Sequence, residues 1–579
     1  MNRMRTLIAA SAVVLALLLG VPGAALANPP KVTFHITSSA NAGVALPLTV
    51  APSPTTPPPG FTSNARQAIK AAEANRTMLA LHAREHPLSI EVWVWSGANW
   101  FVDFSYRGKR VAEVVETPSA RVTKVWTGPL AVAVYARGGF APLFGSPWVL
   151  VPFSLLFLLP FLDPRRLWRM LQLDALVLES FVVSYLLFDH AQLVPAVWMA
   201  YPPLLYLLAR LLWIGWGHRA AAGAAARRAE AALAPMLSVR VLAGGLIALV
   251  AVRTGLSLFE HDVVDVGYAS VIGAHRIVNG QSLYYAASGN GDTYGPIAYL
   301  AYVPFELLFP WHGAWDYLAS AHAASIFFDV VTIIGLVVLG RRLRPGREGL
   351  RLGLALGWAW AACPLTLLAL MMHSNDGLIA MLSVLSLLAF SSPVGRGAVL
   401  GLAAAAKFAP AALLGLYAGQ RDRGIKGVLL CLGSFALVAG SAIALYLPSG
   451  GISELYHHTI GFQLNRSDVF SPWGLHPGLA GVKTALELAA IALCATLAFV
   501  PRRRSLAQMS ALAGAVTIAI QLPAVHWFYY FIVWFMPFAL VAFLAPDGEE
   551  SGAGEPVAAE TEAPRTMAEH TPEPVPAGA

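Results

Sequence analysis

From residue 148 onward the chain is a succession of long apolar runs broken by short polar loops. Twelve runs follow in order: 148–162, 172–189, 193–215, 239–258, 316–340, 352–370, 377–391, 397–419, 428–448, 477–499, 505–522 and 526–545. A helix crossing a hydrocarbon core of about 30 Å needs roughly 20 apolar residues. The pattern therefore predicts an all-α polytopic membrane protein with about 11–13 transmembrane segments. Upstream the periodicity changes. Residues 64–85 carry Ala65, Ile69, Ala72, Met78 and Leu81 on a helical period. Ile90–Trp95, Trp100–Tyr106, Arg110–Glu116 and Val122–Trp126 then alternate as half-buried strands do, with turns at 96–99 and 107–109. A helix followed by four antiparallel strands predicts a small α+β domain over 64–137.

The flanks complete the organisation. Arg3 and Arg5, an apolar run from Leu7 to Val21, and Ala25-Leu26-Ala27 have the order of a secretory signal peptide or anchor over 1–27. Either one sends the α+β domain out of the cytoplasm. Residues 28–63 are rich in Pro, Ser and Thr and predict a linker. Residues 546–579 predict a disordered acidic cytoplasmic tail.

Composition changes this picture only by excluding rivals. Apolar residues make up 57% and charged residues 12%, with mean hydropathy +0.61, far from the roughly one-quarter charged of soluble domains. The net charge of +7 does not point to nucleic acid. Its basic residues fall in short runs between apolar segments, such as Arg165-Arg166, Arg227-Arg228, Arg341-Arg342 and Arg502-Arg503-Arg504, as cytoplasmic loops do. Keeping Arg341–Arg351 inside requires 294–310, with Pro296, Pro304, Glu306 and Pro310, to lie at the membrane surface rather than cross it. The same bookkeeping requires 397–419, with Lys407 and Pro410, to be re-entrant or broken. Cys363, Cys431 and Cys494 lie in apolar segments and read as packing residues. No tight His/Cys/Asp spacing suggests a metal site and no nucleotide-binding Gly loop is present. Asp174, Glu179, Arg210 and Arg253 lie within apolar segments and are candidates to pair with one another.

The richest polar stretch follows the fourth apolar run. Asp265-Val266-Gly267-Tyr268, Gly280-Gln281-Ser282-Leu283-Tyr284 and Tyr294-Gly295-Pro296 resemble the first extracytoplasmic loop of the GT-C glycosyltransferases, and in particular glycosyltransferase family 87, which includes polyprenyl-phosphate-mannose-dependent mannosyltransferases of actinobacterial envelopes. Residues 373–380, 403–416, 465–479 and 526–540 echo it further, so the resemblance covers 239–545 and leaves 146–238 as accessory membrane helices. The stretch around Trp100–Gly128 resembles a PepSY-type domain, which implies an accessory or regulatory role. The GT-C resemblance implies a lipid-linked hexose donor, an envelope acceptor such as a glycolipid or glycan, and Asp265 as general base. It brings no cofactor and leaves a divalent-metal requirement open. Gly267 departs from the family pattern, which has a bulkier residue before the tyrosine.

Chemistry runs beside the resemblance. Transfer from a lipid phosphate needs a carboxylate to take the acceptor's proton, donors to hold the departing phosphate and an apolar groove for the lipid. Asp265 and Asp262 sit just beyond an apolar run, at headgroup height, and Asp262 is the reserve candidate. The alternative for either is a solvated loop carboxylate, a reading that weighs more on Asp262 than on Asp265. Lys407 is a phosphate ligand or a snorkelling lysine. His373, Asn375 and Asp376 line the site or cap a helix. Arg466 suits a phosphate because a guanidinium grips two oxygens. His476 and His526 serve the site or packing. Tyr268 stacks on sugar or belongs to an interfacial aromatic belt. The rival functions are a secondary transporter, and a membrane sensor or scaffold whose exported domain binds a partner.

Overall fold

The computed structural model describes residues 48–50, 54–85, 88–95, 99–107, 109–162, 169–216, 238–284, 293–313, 317–420, 423–466, 468–545 and 578. The readings for the signal segment, most of the linker and nearly all of the acidic tail lie outside the described residues.

The N-terminal domain is a five-stranded antiparallel meander, β1 (Leu48–Val50), β2 (Leu88–Trp95), β3 (Asn99–Tyr106), β4 (Lys109–Glu116) and β5 (Val122–Thr127), paired in chain order. The four expected strands are there, and β1 is an addition: three residues are too few for alternation to show. Two helices cover one face, α1 (Ala65–Glu73) and α2 (Arg76–His82), where periodicity predicts one. The chain restarts at Asn75, whose side chain accepts from the Thr77 amide, an N-cap that favours a new helix over a continuous one. Asn64 and Gln67 close a capping box on α1. Trp100, Val102 and Phe104 of β3 are fully buried against Ala68, Ala72 and Met78, and Trp100 Nε1 donates to Ser63 Oγ at 2.9 Å. On the opposite face Asp103 and Glu113 stand directly across the β3–β4 ladder. Such like charges repel, and Arg110 lies 2.6 Å from Asp103 and 3.2 Å from Glu113, offsetting the repulsion.

The remainder is a multi-pass membrane protein. Among the described residues, six helices are long and apolar enough to cross a bilayer: 170–189 (α4, after α3 at Pro147–Leu158), 193–216 (α5), 239–259 (α6), 319–343, 424–445 and 477–497. A seventh crossing arises if Gly346–Ala362 and Pro364–Met371, bent by 60°, count as one. Pro364, which has no amide N–H, begins the second piece of the bent pair. The other apolar runs form shorter helices, so the count of continuous spans falls below the number of runs.

Two of the shorter segments are broken. Residues 296–308 are two short helices, Pro296–Leu300 and Val303–Leu308, each with proline in its first turn. Buried Glu306 there accepts from His275 Nδ1 at 2.9 Å and from the Trp311 amide at 2.7 Å. The helix Pro393–Ala406 stops at Lys407, whose backbone is extended, and the chain resumes as a 3₁₀ turn over Ala409–Leu413. Three of the four intramembrane charges pair, though not all among themselves, and no ion pair is seen for Glu179 among the described residues. Arg210 holds Asp174 at 3.1 Å, with Tyr206 donating to the same oxygen. Arg253 instead takes Asp329 at 2.6 Å, with Trp360 donating to that carboxylate. A reporter fused after Arg342, in the last turn of Ala319–Leu343, is expected to read cytoplasmic. An exported signal there would mean that 296–308 crosses the bilayer.

Candidate functional site

The geometry begins with the turn before α7 (Asp265–Val278). His373, between Pro364–Met371 and Asp376–Leu388, folds back on this turn: its Nδ1 donates to the Asp262 carbonyl at 3.0 Å, and its Nε2 lies 3.2 Å from Ser257 Oγ. Burial holds the imidazole down at about 4, so it is neutral at physiological pH and carries one N–H. The Val264 amide donates to the Met372 carbonyl at 3.0 Å, and Asn375 Nδ2 donates to Ser270 Oγ at 2.9 Å. A Cβ on Gly267 would collide with the His373 carbonyl oxygen. That contact accounts for glycine where the family pattern has a larger residue: the first turn of α7 packs directly on the backbone at His373.

These contacts fix Asp265 at the start of α7, where its Oδ1 accepts from the Val266 amide at 2.8 Å. The residue is half-buried. Burial pushes its carboxyl up to about 6, against the opposing pull of Arg466 and Lys407, while the nearby Asp376 raises it further. A carboxylate in that range is mostly ionised at neutral pH and still basic enough to take a proton.

Two ion-paired groups flank it. Asp376 opens the helix Asp376–Leu388 and receives Lys407 Nζ, Trp534 Nε1 at 2.7 Å and Ser374 Oγ at 2.5 Å. Lys407 lies 5.1 Å from the Tyr294 ring centroid and 5.3 Å from that of Trp534. The break after Ala406 is what delivers its ammonium here. The second group joins distant loops: Asp468 accepts from Arg466 Nε at 2.7 Å and from His526 Nδ1 at 2.9 Å. Burial alone would raise the Asp468 carboxyl, but Arg466 and His526 outweigh it and hold it well below the usual range. Burial and Arg466 push the His526 imidazole down, with Asp468 opposing. Tyr294 shares the field of Asp265, Asp376 and Arg466, and its phenol stays protonated because burial and the two carboxylates raise it.

Five of the expected residues, Asp265, Asp376, Lys407, Arg466 and His526, thus converge from five separate stretches of chain. His373 and Asn375 stand behind them as supports of the α7 turn. Asp262, Tyr268 and His476 are found in other contacts. Asp262 is exposed and acts on Glu260. Tyr268 meets the Trp311 ring edge-on at 5.9 Å, and the His476 ring lies 5.8 Å from that of Trp198. Sequence reasoning passed over Asp468 and Trp534. Asp468 carries a signal, standing two residues from Arg466 in a polar loop, whereas Trp534 lies within an unbroken apolar run. Among the described residues, no group of three or more His, Cys, Asp or Glu side chains is placed to hold a metal ion.

No protein-family profile matches the chain, and no curated protein matches it. Among solved structures the chain is similar to ArnT from Cupriavidus metallidurans, a structure bound to undecaprenyl phosphate, at 18% identity and a TM-score of 0.37, over 52% of this chain. The match spans 59% of that chain's length.

Proposed function

We propose that the protein is a membrane glycosyltransferase that moves a hexose, mannose first among the candidates, from a polyprenyl-phosphate donor to an extracytoplasmic envelope acceptor. The observation that carries this reading is a half-buried carboxylate raised to about 6, set beside an arginine and a lysine that are each steadied by a carboxylate of their own. In this reading Asp265 takes the proton of the acceptor hydroxyl as its oxygen bonds to the anomeric carbon. The bond from that carbon to the phosphate oxygen breaks, and polyprenyl phosphate departs with the electron pair. Arg466 holds the phosphate: Asp468 engages its Nε, and a guanidinium carries five N–H donors in all. Lys407, engaged by Asp376, contributes its field and not a direct grip. Stepwise charge development on the phosphate is what such fixed donors stabilise.

The test is transfer of labelled sugar from a panel of polyprenyl-phosphate hexoses in membranes containing the unmodified protein. Transfer from at least one donor is the expected result. Failure with every donor would remove the enzyme reading and bring forward a transporter or a membrane scaffold.

A further inference from the structure

Two loops meet beside Arg466 and fix His526 there. Trp473 Nε1 donates to the Leu522 carbonyl at 2.8 Å, which ties the loop carrying Arg466 and Asp468 to the turn after Leu506–Gln521. Gln521 braces that turn. Its Nε2 donates to the Phe531 carbonyl at 3.0 Å, and its Oε1 accepts from Trp527 Nε1 at 3.3 Å. The His526 ring meets that of Phe470 edge-on at 5.4 Å and that of Phe531 at 6.1 Å. A side chain held this way has little freedom to lose on binding.

Asp468 decides which ring nitrogen of His526 carries the proton. Arg466 Nε and His526 Nδ1 both meet Asp468 Oδ2, at 2.7 and 2.9 Å. An ionised carboxylate only accepts, so Nδ1 is the N–H of the neutral imidazole and Nε2 keeps its lone pair. Among the described residues Nε2 has no hydrogen-bond partner, and it is not enclosed, the side chain being 22% exposed. Burial and the adjacent Arg466 hold the imidazole below its ordinary range, so the lone pair stays free at physiological pH. The result is a reachable acceptor held on the same carboxylate oxygen as a cation.

What Nε2 can accept follows from what Arg466 holds. The phosphate of a sugar phosphodiester has no proton to donate to it. The sugar is joined to that phosphate through a single oxygen, and its hydroxyls are donors. The acceptor's reacting hydroxyl is already assigned to Asp265. We infer that His526 is a specificity-determining contact: its Nε2 accepts a hydrogen bond from one hydroxyl of the transferred hexose, and Asp468 orients it. The inference rests on the glycosyltransferase reading. It adds a demand on the donor, because a site built to pair with a hydroxyl rejects the analogue that lacks it.

The experiment measures kcat/KM for sugar transfer in membranes, using a polyprenyl-phosphate hexose that the unmodified protein accepts and the analogues lacking one hydroxyl each. The unmodified protein is expected to lose roughly tenfold with one of these analogues, the cost of one hydrogen bond. His526→Phe keeps an aromatic ring beside Phe470 and Phe531. It is expected to lose roughly tenfold with the parent donor and nothing more with that analogue, because both changes remove one contact. His526→Gln, whose amide can donate to Asp468 and still accept, is expected to recover most of the rate together with the discrimination. A merely structural His526 would slow transfer from every donor by one factor and leave the discrimination intact, which would overturn the inference. Transfer by His526→Phe at the unmodified rate would overturn it as well. Either result leaves the glycosyltransferase reading standing, whereas no transfer from any donor by the unmodified protein would remove that reading and this inference with it.

Discussion

Asp265→Asn is expected to lower sugar transfer by about 10²- to 10⁴-fold, the usual cost of losing a general base, with expression and unfolding close to those of the unmodified protein. Asparagine keeps the shape and the acceptor for the Val266 amide but cannot take a proton. The unmodified protein should also lose rate as pH falls through about 6, where the Asp265 carboxyl takes its proton, and the residual rate of Asp265→Asn should lack that step. The sign for stability is the reverse. The folded state binds this proton more tightly than the unfolded chain, whose Asp titrates near ~3.9. The contribution of this group therefore favours the fold at low pH and declines as pH rises from about 4 to about 6. Near-normal transfer by Asp265→Asn would remove it as the base.

The largest effect on stability is expected at the Lys407–Asp376 pair. Their side chains are 8% and 2% exposed, so Lys407→Met strands a buried carboxylate and should cost about 3–5 kcal/mol in reversible unfolding. The double variant Lys407→Met with Asp376→Asn should recover much of that loss, because asparagine carries no charge, still accepts from Trp534 at its amide oxygen, and can donate from its amide nitrogen to the Ser374 hydroxyl. A loss below about 1 kcal/mol in Lys407→Met would show that the ion pair is not what holds the broken helix against Asp376–Leu388. The recovered double variant serves a second purpose. If it folds, the transfer it supports separates the structural role of the pair from the field that Lys407 exerts on Asp265.

Much of this architecture was legible because one physical rule governs it. Apolar runs must be buried or face lipid, and strands that cover a core alternate, so the helical membrane part and the sheet domain follow from pattern alone. Proline and charge placement were enough to mark 294–310 and 397–419 as irregular, and the positive-inside argument supplied the reason. Other features were hidden. The strand at Leu48–Val50 is too short to carry a period, and the break at Asn75 is a capping preference that competes with an apolar stripe continuing across it. Gly267 looked like a departure from a pattern until its neighbour, a carbonyl more than a hundred residues away, was in view.

The site divides along the same line. The chain by itself determined which residues were chemically eligible: a carboxylate just past an apolar run, a lysine inside one, and an arginine in a polar loop. Those follow from the cost of placing charge near lipid. Tertiary structure alone decided which of them meet. Asp262 and Asp265 are three residues apart and indistinguishable by composition, yet one is exposed and the other lies in the field of Arg466 and Lys407, because α7 begins at Asp265 and the backbone before it is held by His373.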